Sequence, residues 1–159
     1  MYKTEAIITK VENFKENHLS IKVFSSVYGQ KSLVVFGGKS KKKNTTFVKG
    51  SFNNIEFDNN NFCLSSTSIN TFKWFLFSKY ELKAIDYFCF LINRLLFLAD
   101  QNSNVISYYL LLISKLNERS NYLPELLLLE LEILKASGYQ PDLNAVSYTH
   151  LTLPTNDQV

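Results

Sequence analysis

The densest chemistry in this 159-residue chain is cationic. Residues 32–44 read SLVVFGGKSKKKN: an apolar run ending in Phe36, then Gly37 and Gly38, then Lys39, Lys41, Lys42 and Lys43. Lysine ammonium groups on flexible stems suit phosphate contact that ignores base sequence. Glycines remove side chains where the backbone turns, so a phosphate can approach main-chain N–H groups. The same GGKS looks like the end of a nucleotide-binding P-loop. That loop needs a glycine where Leu33 stands and an apolar helix where KKKNTT stands, so the nucleotide reading is set aside. A lysine run also marks an ordinary solvated loop or a nuclear-import signal. Its setting distinguishes this one, because Lys10, Lys15, Lys22, Lys31 and Lys49 belong to the same part of the chain.

Other reactive residue types do not assemble. Cys63 and Cys89 sit in apolar surroundings and read as buried free thiols in a reducing compartment. Neither they nor His18 and His150 have metal-ligand or nucleophile–base spacing. Glu125, Glu130 and Glu132 suit the solvated face of a helix. The expectation is a protein that is not an enzyme, with no catalytic residue, metal or cofactor.

The elements that must carry the lysines read as strands. TEAIITKV (4–11), LSIKVFS (19–25), KSLVVFGG (31–38), SFNNIEFD (51–58) and FCLSS (62–66) alternate or run apolar, and polar turn clusters separate them. Five short strands without an intervening helix predict a small antiparallel barrel or sandwich. Small barrels of the OB type bind single strands with basic loops and aromatic platforms. Phe14, Tyr28, Phe36 and Phe52 are the rings available for stacking, with core packing as the alternative for most of them.

The second half predicts helices. Leu82, Ile85, Phe88, Ile92, Leu95 and Leu96 recur at helical steps over 80–99. Ser103 is placed to cap a second helix that turns Val105, Ile106, Tyr109, Leu112, Ile113 and Leu116 inward. Pro124 and Glu125 open a third, and Gly138 with Pro141 closes it. The fold class expected is α+β: a five-stranded OB-type β-barrel over 1–68 that binds nucleic acid, a junction at 69–79 and an incomplete helical domain over 80–144. Charge follows the same division. Residues 1–80 hold 12 lysines and five acids, a net of +7, whereas 81–159 hold five cations and nine acids, a net of −4. Opposite signs suggest different partners for the two halves. The apolar stretches are too short to span a membrane, and no signal peptide precedes them, so a cytoplasmic protein is expected.

Residues 145–159, AVSYTHLTLPTNDQV, lose both lysines and periodicity. They read as an extended tail or as translated adapter read-through of the kind that ends metagenomic gene models. In the second case the native sequence continues beyond Asn144.

With these residues in hand, residues 1–144 resemble the RecO family of bacterial recombination mediators. The resemblance runs through Glu16, the strand ending near Phe24, Gly29 and the glycine followed by basic residues at 37–43. It returns in LELEILKASGYQPDL, with Gly138, Tyr139, Pro141 and Leu143 in the family's pattern. Departures are Gln30 in place of a basic residue, Phe36 in place of another, and His18 in place of a common Asp. The cysteine pair of many members is missing after Leu143, so their zinc-type site is not carried over. The resemblance implies an OB domain joined to helices, bound to single- and double-stranded DNA and associated with the nucleoid. It also implies strand annealing, engagement of the C-terminal tail of single-stranded DNA-binding protein, and RecA loading with RecR. On the residues alone, Lys22, Lys31, Gly37, Gly38, Lys39, Lys41, Lys42 and Lys43 are the DNA-contact candidates. Arg94, Lys115 and Arg119 are candidates for an acidic partner peptide. The competing reading is a protein–protein adaptor or an RNA-binding OB-fold protein with a helical interaction domain.

Overall fold

The structure is a computed structural model that describes residues 1–40, 46–69, 77–98 and 104–139. Lys41, Lys42, Lys43, the Ser103 cap, Pro141, Leu143, His150, most of the 69–79 junction and the 145–159 tail lie outside the described residues. Five strands form one antiparallel sheet: β1 (Tyr2–Phe14), β2 (His18–Ser25), β3 (Gly29–Val35), β4 (Phe52–Phe57) and β5 (Cys63–Ser68), in the order β3-β2-β1-β4-β5. Three helices follow: α1 (Lys79–Leu95), α2 (Val105–Asn117) and α3 (Leu123–Ala136). None of the described helices is long and apolar enough to cross a membrane.

Strand β1 is central, and its middle, Ala6, Ile7, Ile8 and Thr9, is buried on both faces. Ala6 and Ile8 join Ile21, Val23, Leu33, Val35, Ile55 and Phe57 in a core on the inner face of the curled sheet. Ile7 points the other way and joins Phe24 and Phe52 beneath the helices. That second core holds Ile85, Phe88, Cys89 and Ile92 of α1, Tyr109 and Leu112 of α2, and Leu129 and Ile133 of α3. The alternation of β1 therefore serves two cores, and the helical half packs directly on the sheet. Fully buried Tyr109 adds a polar tie, donating its hydroxyl to the carbonyl of Gly50 at 2.7 Å.

The expected barrel is not closed. Among the described residues, β3 meets the residue just before β5 in one parallel bridge, Val34 to Phe62, with the Val34 N–H donated to the Asn61 carbonyl at 2.9 Å. The reason is where the strands stop. Strand β3 ends at Val35, and Gly37 at φ 63° turns the chain away just where β5 begins. The sheet curls toward closure but forms no continuous ladder there.

Helix starts and stops follow local chemistry. Ser78 and Glu81 form a reciprocal capping box at the start of α1. Helix α3 has Pro124 in its first turn, and Gly138 follows it at φ 88°. Glu132 departs from expectation. It is not on a solvated face but only 9% exposed, and it accepts the Asn104 N–H at 2.9 Å. A carboxylate from α3 thus caps the start of α2, where Asn104 makes no side-chain cap of its own. Glu130 is also engaged, accepting the Tyr87 hydroxyl at 2.7 Å and linking α3 to α1.

Candidate nucleic-acid interface

The sequence-predicted cations fall in separate places. Lys22 lies at mid-strand on β2, on the helix-facing side, and lines a cleft of about 470 Å³ between the sheet and α1. Lys10, Lys49 and Arg94 line the same cleft, with Thr9 and Asn93 and the rings of Phe90 and Phe97. A β-bulge makes this possible. Ile8 pairs with Val23 and Lys10 with Lys22, which leaves Thr9 as the extra residue. The bulge turns the Thr9 hydroxyl to Asn93 Oδ1 at 2.8 Å. Gln30 Nε2 reaches the same oxygen at 2.9 Å, and the Gln30 N–H is donated to the Phe97 carbonyl. The cleft floor is therefore a closed set of neutral hydrogen bonds, and the charge sits on its walls.

Two of the wall cations carry partners. Lys10 pairs with Glu12 at 2.7 Å and Lys49 with Asp86 at 2.5 Å. The Arg94 guanidinium lies 5.6 Å from the centroid of the Phe90 ring, a cation–π contact. Phe90 and Phe97 are 53% and 62% exposed. Behind Lys49 and Asp86 lies Cys89, whose thiol burial pushes up to about 12, with Lys49 opposing and Asp86 reinforcing the shift. That thiol is inert, consistent with its place in the core.

The rim formed by the β1–β2 turn and the end of β3 holds the rest of the opening motif. Lys39 donates its ammonium to the Lys15 carbonyl at 2.9 Å, so two lysines of separate turns share one end of the sheet. Phe36 is half exposed and packs against His18 and Phe62. The two glycines do different jobs from the phosphate approach expected of them. The Gly37 N–H is already donated to His18 Nδ1 at 3.2 Å, which also gives His18 the partner that its sequence neighbours did not suggest. Gly38 is buried, and a Cβ there would stand 2.8 Å from Leu19 Cγ. Its smallness serves packing against β2.

Lys31 occupies a third place. It lines a hollow with Tyr2, Tyr28 and Phe57, whose rings meet one another edge-on or stacked. Of the stacking candidates, Phe52 belongs to the core, Tyr28 is part of this ring cluster, and Phe14 and Phe36 stay accessible. The acidic-peptide candidates are separated too. Arg94 faces the sheet cleft, which neither Lys115 nor Arg119 lines. Lys115 lies in the last turn of α2 beside Glu118, and Arg119 follows in a left-handed turn at φ 54°.

The cleft depends on Phe90 and Phe97, which the sequence reading passed over. A signal was present: Phe90 lies outside the apolar helical series of Phe88 and Ile92, so an aromatic ring was being placed on a solvent face.

No curated protein matches the chain. A family model described as recombination protein O N terminal matches residues 1–66, which span β1 to β4 and most of β5. Domains of that family are of the OB type, and the strand order here agrees with the type apart from the missing closing ladder. Residues 1–66 are thus similar to the N-terminal domain of the recombination protein O family, RecO, which supports a general role in DNA recombination and repair.

Proposed function

We propose that this chain is a DNA-binding recombination mediator without enzymatic activity. It binds single- and double-stranded DNA, promotes annealing of complementary strands, engages the C-terminal tail of single-stranded DNA-binding protein, and assists RecA loading with RecR. It works in the cytoplasm, at the nucleoid, and needs no cofactor. The observation that carries the reading is the gathering of Lys10, Lys22, Lys49 and Arg94 around one cleft, on a domain of a recombination family. Annealing needs phosphate repulsion screened while base edges remain free. Lysine contacts supply that, since they neutralise phosphate and leave the bases unread.

The test is a fluorescence annealing assay on complementary oligonucleotides, with binding of single strand, duplex and RNA measured from about 50 to 200 mM salt. Faster annealing and DNA binding that weakens steeply with salt are expected. Tight RNA binding without annealing would favour the RNA-binding alternative. A second reading, a protein–protein adaptor, draws on the exposed leucines of α3, where Leu123, Leu127 and Leu131 follow one another at four-residue steps. A chain that binds RecR but no nucleic acid would establish it.

A further inference from the structure

The cleft between sheet and α1 combines two features that separately mean little. Its walls carry Lys10, Lys22, Lys49 and Arg94, and no carboxylate is among its described lining residues. Its other side carries Phe90 of α1, a helix whose Phe88 is fully buried, and Phe97 just past the helix end, both more than half exposed. Positive charge alone would suit any phosphate polymer. Exposed rings beside it narrow the choice.

We propose that this cleft is a path for a single DNA strand, in which Phe90 of α1 and Phe97 just after it stack on unpaired bases while the sheet and Arg94 hold the phosphates. The inference rests on the DNA-binding reading above and adds its site and its strand class. Bases in a duplex are stacked on one another and offer no free faces, whereas every base of a single strand does. At about 470 Å³ the cleft is in the size range of small-ligand pockets, with room for a short stretch of one unpaired strand. Its floor, Thr9 and Asn93, spends its polar atoms on itself and on Gln30. Base edges are therefore left unread, and binding tolerates any sequence. An acidic peptide would use the cations but has no flat bases to lay on the two rings.

The ion pairs give the path a built-in competitor. Asp86 holds Lys49, and Glu12 holds Lys10, until a phosphate replaces them. Exposed pairs of this kind are weak enough to be exchanged. Removing Asp86 therefore frees a cation for DNA without touching a ring.

The experiment measures fluorescence anisotropy of a labelled thymidine oligomer and of a duplex with the full chain, with an unlabelled glutamate-rich peptide as competitor. Phe90→Ala with Phe97→Ala should weaken single-strand binding about tenfold or more and leave duplex affinity and the salt slope nearly unchanged. Lys22→Ala with Arg94→Ala should reduce the single-strand salt slope by about 1.4, two phosphates' worth. Asp86→Asn should tighten binding. Circular dichroism and thermal melting check that each variant folds, and Asp86→Asn keeps the test open if a double variant does not. Wild-type single-strand affinity in the folded ring variant would overturn the proposal, as would equal losses for single strand and duplex, a competing peptide that needs the same rings, or an Asp86→Asn chain that binds no more tightly. A wild-type chain that binds no DNA would instead overturn the DNA-binding reading itself.

Discussion

Asn93 Oδ1 lies 2.8 Å from the hydroxyl of Thr9, a residue 84 positions earlier in the chain. Asn93 Nδ2 returns a hydrogen bond to the Thr9 carbonyl at 3.3 Å, and Gln30 Nε2 reaches Asn93 Oδ1 at 2.9 Å. One amide thus joins the bulge of β1, the start of β3 and the last turns of α1. It fixes the rotation of α1 over the sheet, and with it where Phe90, Arg94 and Phe97 stand around the cleft.

Replacing Asn93 with Leu removes the acceptor that the Thr9 hydroxyl and the Gln30 amide share, and leaves them the longer contacts to the Lys22 carbonyl at 3.2 Å and the residue 93 main-chain carbonyl at 3.4 Å. Loss of such buried hydrogen bonds costs about 1–3 kcal/mol. Urea unfolding of Asn93→Leu should show a loss in that range. A cycle of Asn93→Ala with Thr9→Val should show a coupling of at least about 0.5 kcal/mol. Additive losses would mean that the two residues do not hold each other.

Gly37 and Gly38 are neighbours with unlike requirements. Gly37 needs its φ of 63°, but a Cβ there meets open space. Gly37→Ala should cost about 1–2 kcal/mol from the left-handed backbone alone. Gly38→Ala would push a methyl group against Leu19 Cγ and Cδ1, at 2.8 and 2.9 Å. Its cost should shrink in a Leu19→Ala background, where the obstructing atoms are gone. If thermal unfolding shows the same cost in both backgrounds, contact with Leu19 is not why glycine stands at position 38.

Local chemistry was legible in the sequence, and assembly was not. Alternation in LSIKVFS located β2 within a residue, and Pro124 and Gly138 bracketed α3. The open edge was not legible, because closure depends on β3 ending at Val35 just as β5 starts at Cys63, a relation between strands far apart in sequence. Glu132 looked solvated because helical periodicity places a residue on a face without naming its neighbour, here the Asn104 N–H. The cleft was invisible for the same reason. Its cations come from β1, β2, the segment before β4 and α1, and only the Thr9 bulge and the packing of α1 bring them together. The lysine run at 39–43 drew attention by density, whereas Lys22 and Arg94 meet only after folding.

Alkaline pH should loosen the core through Cys89. Burial raises its thiol from the ordinary 9.0 to about 12 in the folded chain. The folded state therefore holds the proton more tightly than the unfolded state. The corresponding stability is complete below pH 9 and is lost as pH rises toward 12. In that window the slope is about 1.4 kcal/mol per pH unit for one fully differential group. Tyr109, also raised by burial, adds to the loss at the upper end. Cys89→Ala should be less stable at neutral pH because of the cavity, yet its unfolding free energy should fall less steeply above pH 9. Parallel pH profiles for the two proteins would show that Cys89 does not drive the loss.

The lysine loop should contribute affinity without strand preference, unlike the cleft. Lys39 is anchored at the Lys15 carbonyl on the exposed rim. If Lys31, Lys39, Lys41, Lys42 and Lys43 neutralise four or five phosphates, log K should fall against log salt with a slope of about −3 for single strands. Replacing Lys39, Lys41, Lys42 and Lys43 with Ala should remove much of that slope and weaken binding similarly across sequences. Folding should survive, since Lys39 touches a carbonyl at the surface and no core residue. Phe36→Ala separates charge from stacking at the same rim. The ring is half exposed against His18 and Phe62, so its loss should leave the sheet folded. A loss of about 1–3 kcal/mol in single-strand affinity would then mark a base contact. A folded quadruple lysine variant with unchanged affinity and unchanged salt slope would show that the run is only a solvated turn, and that DNA is held elsewhere on the chain.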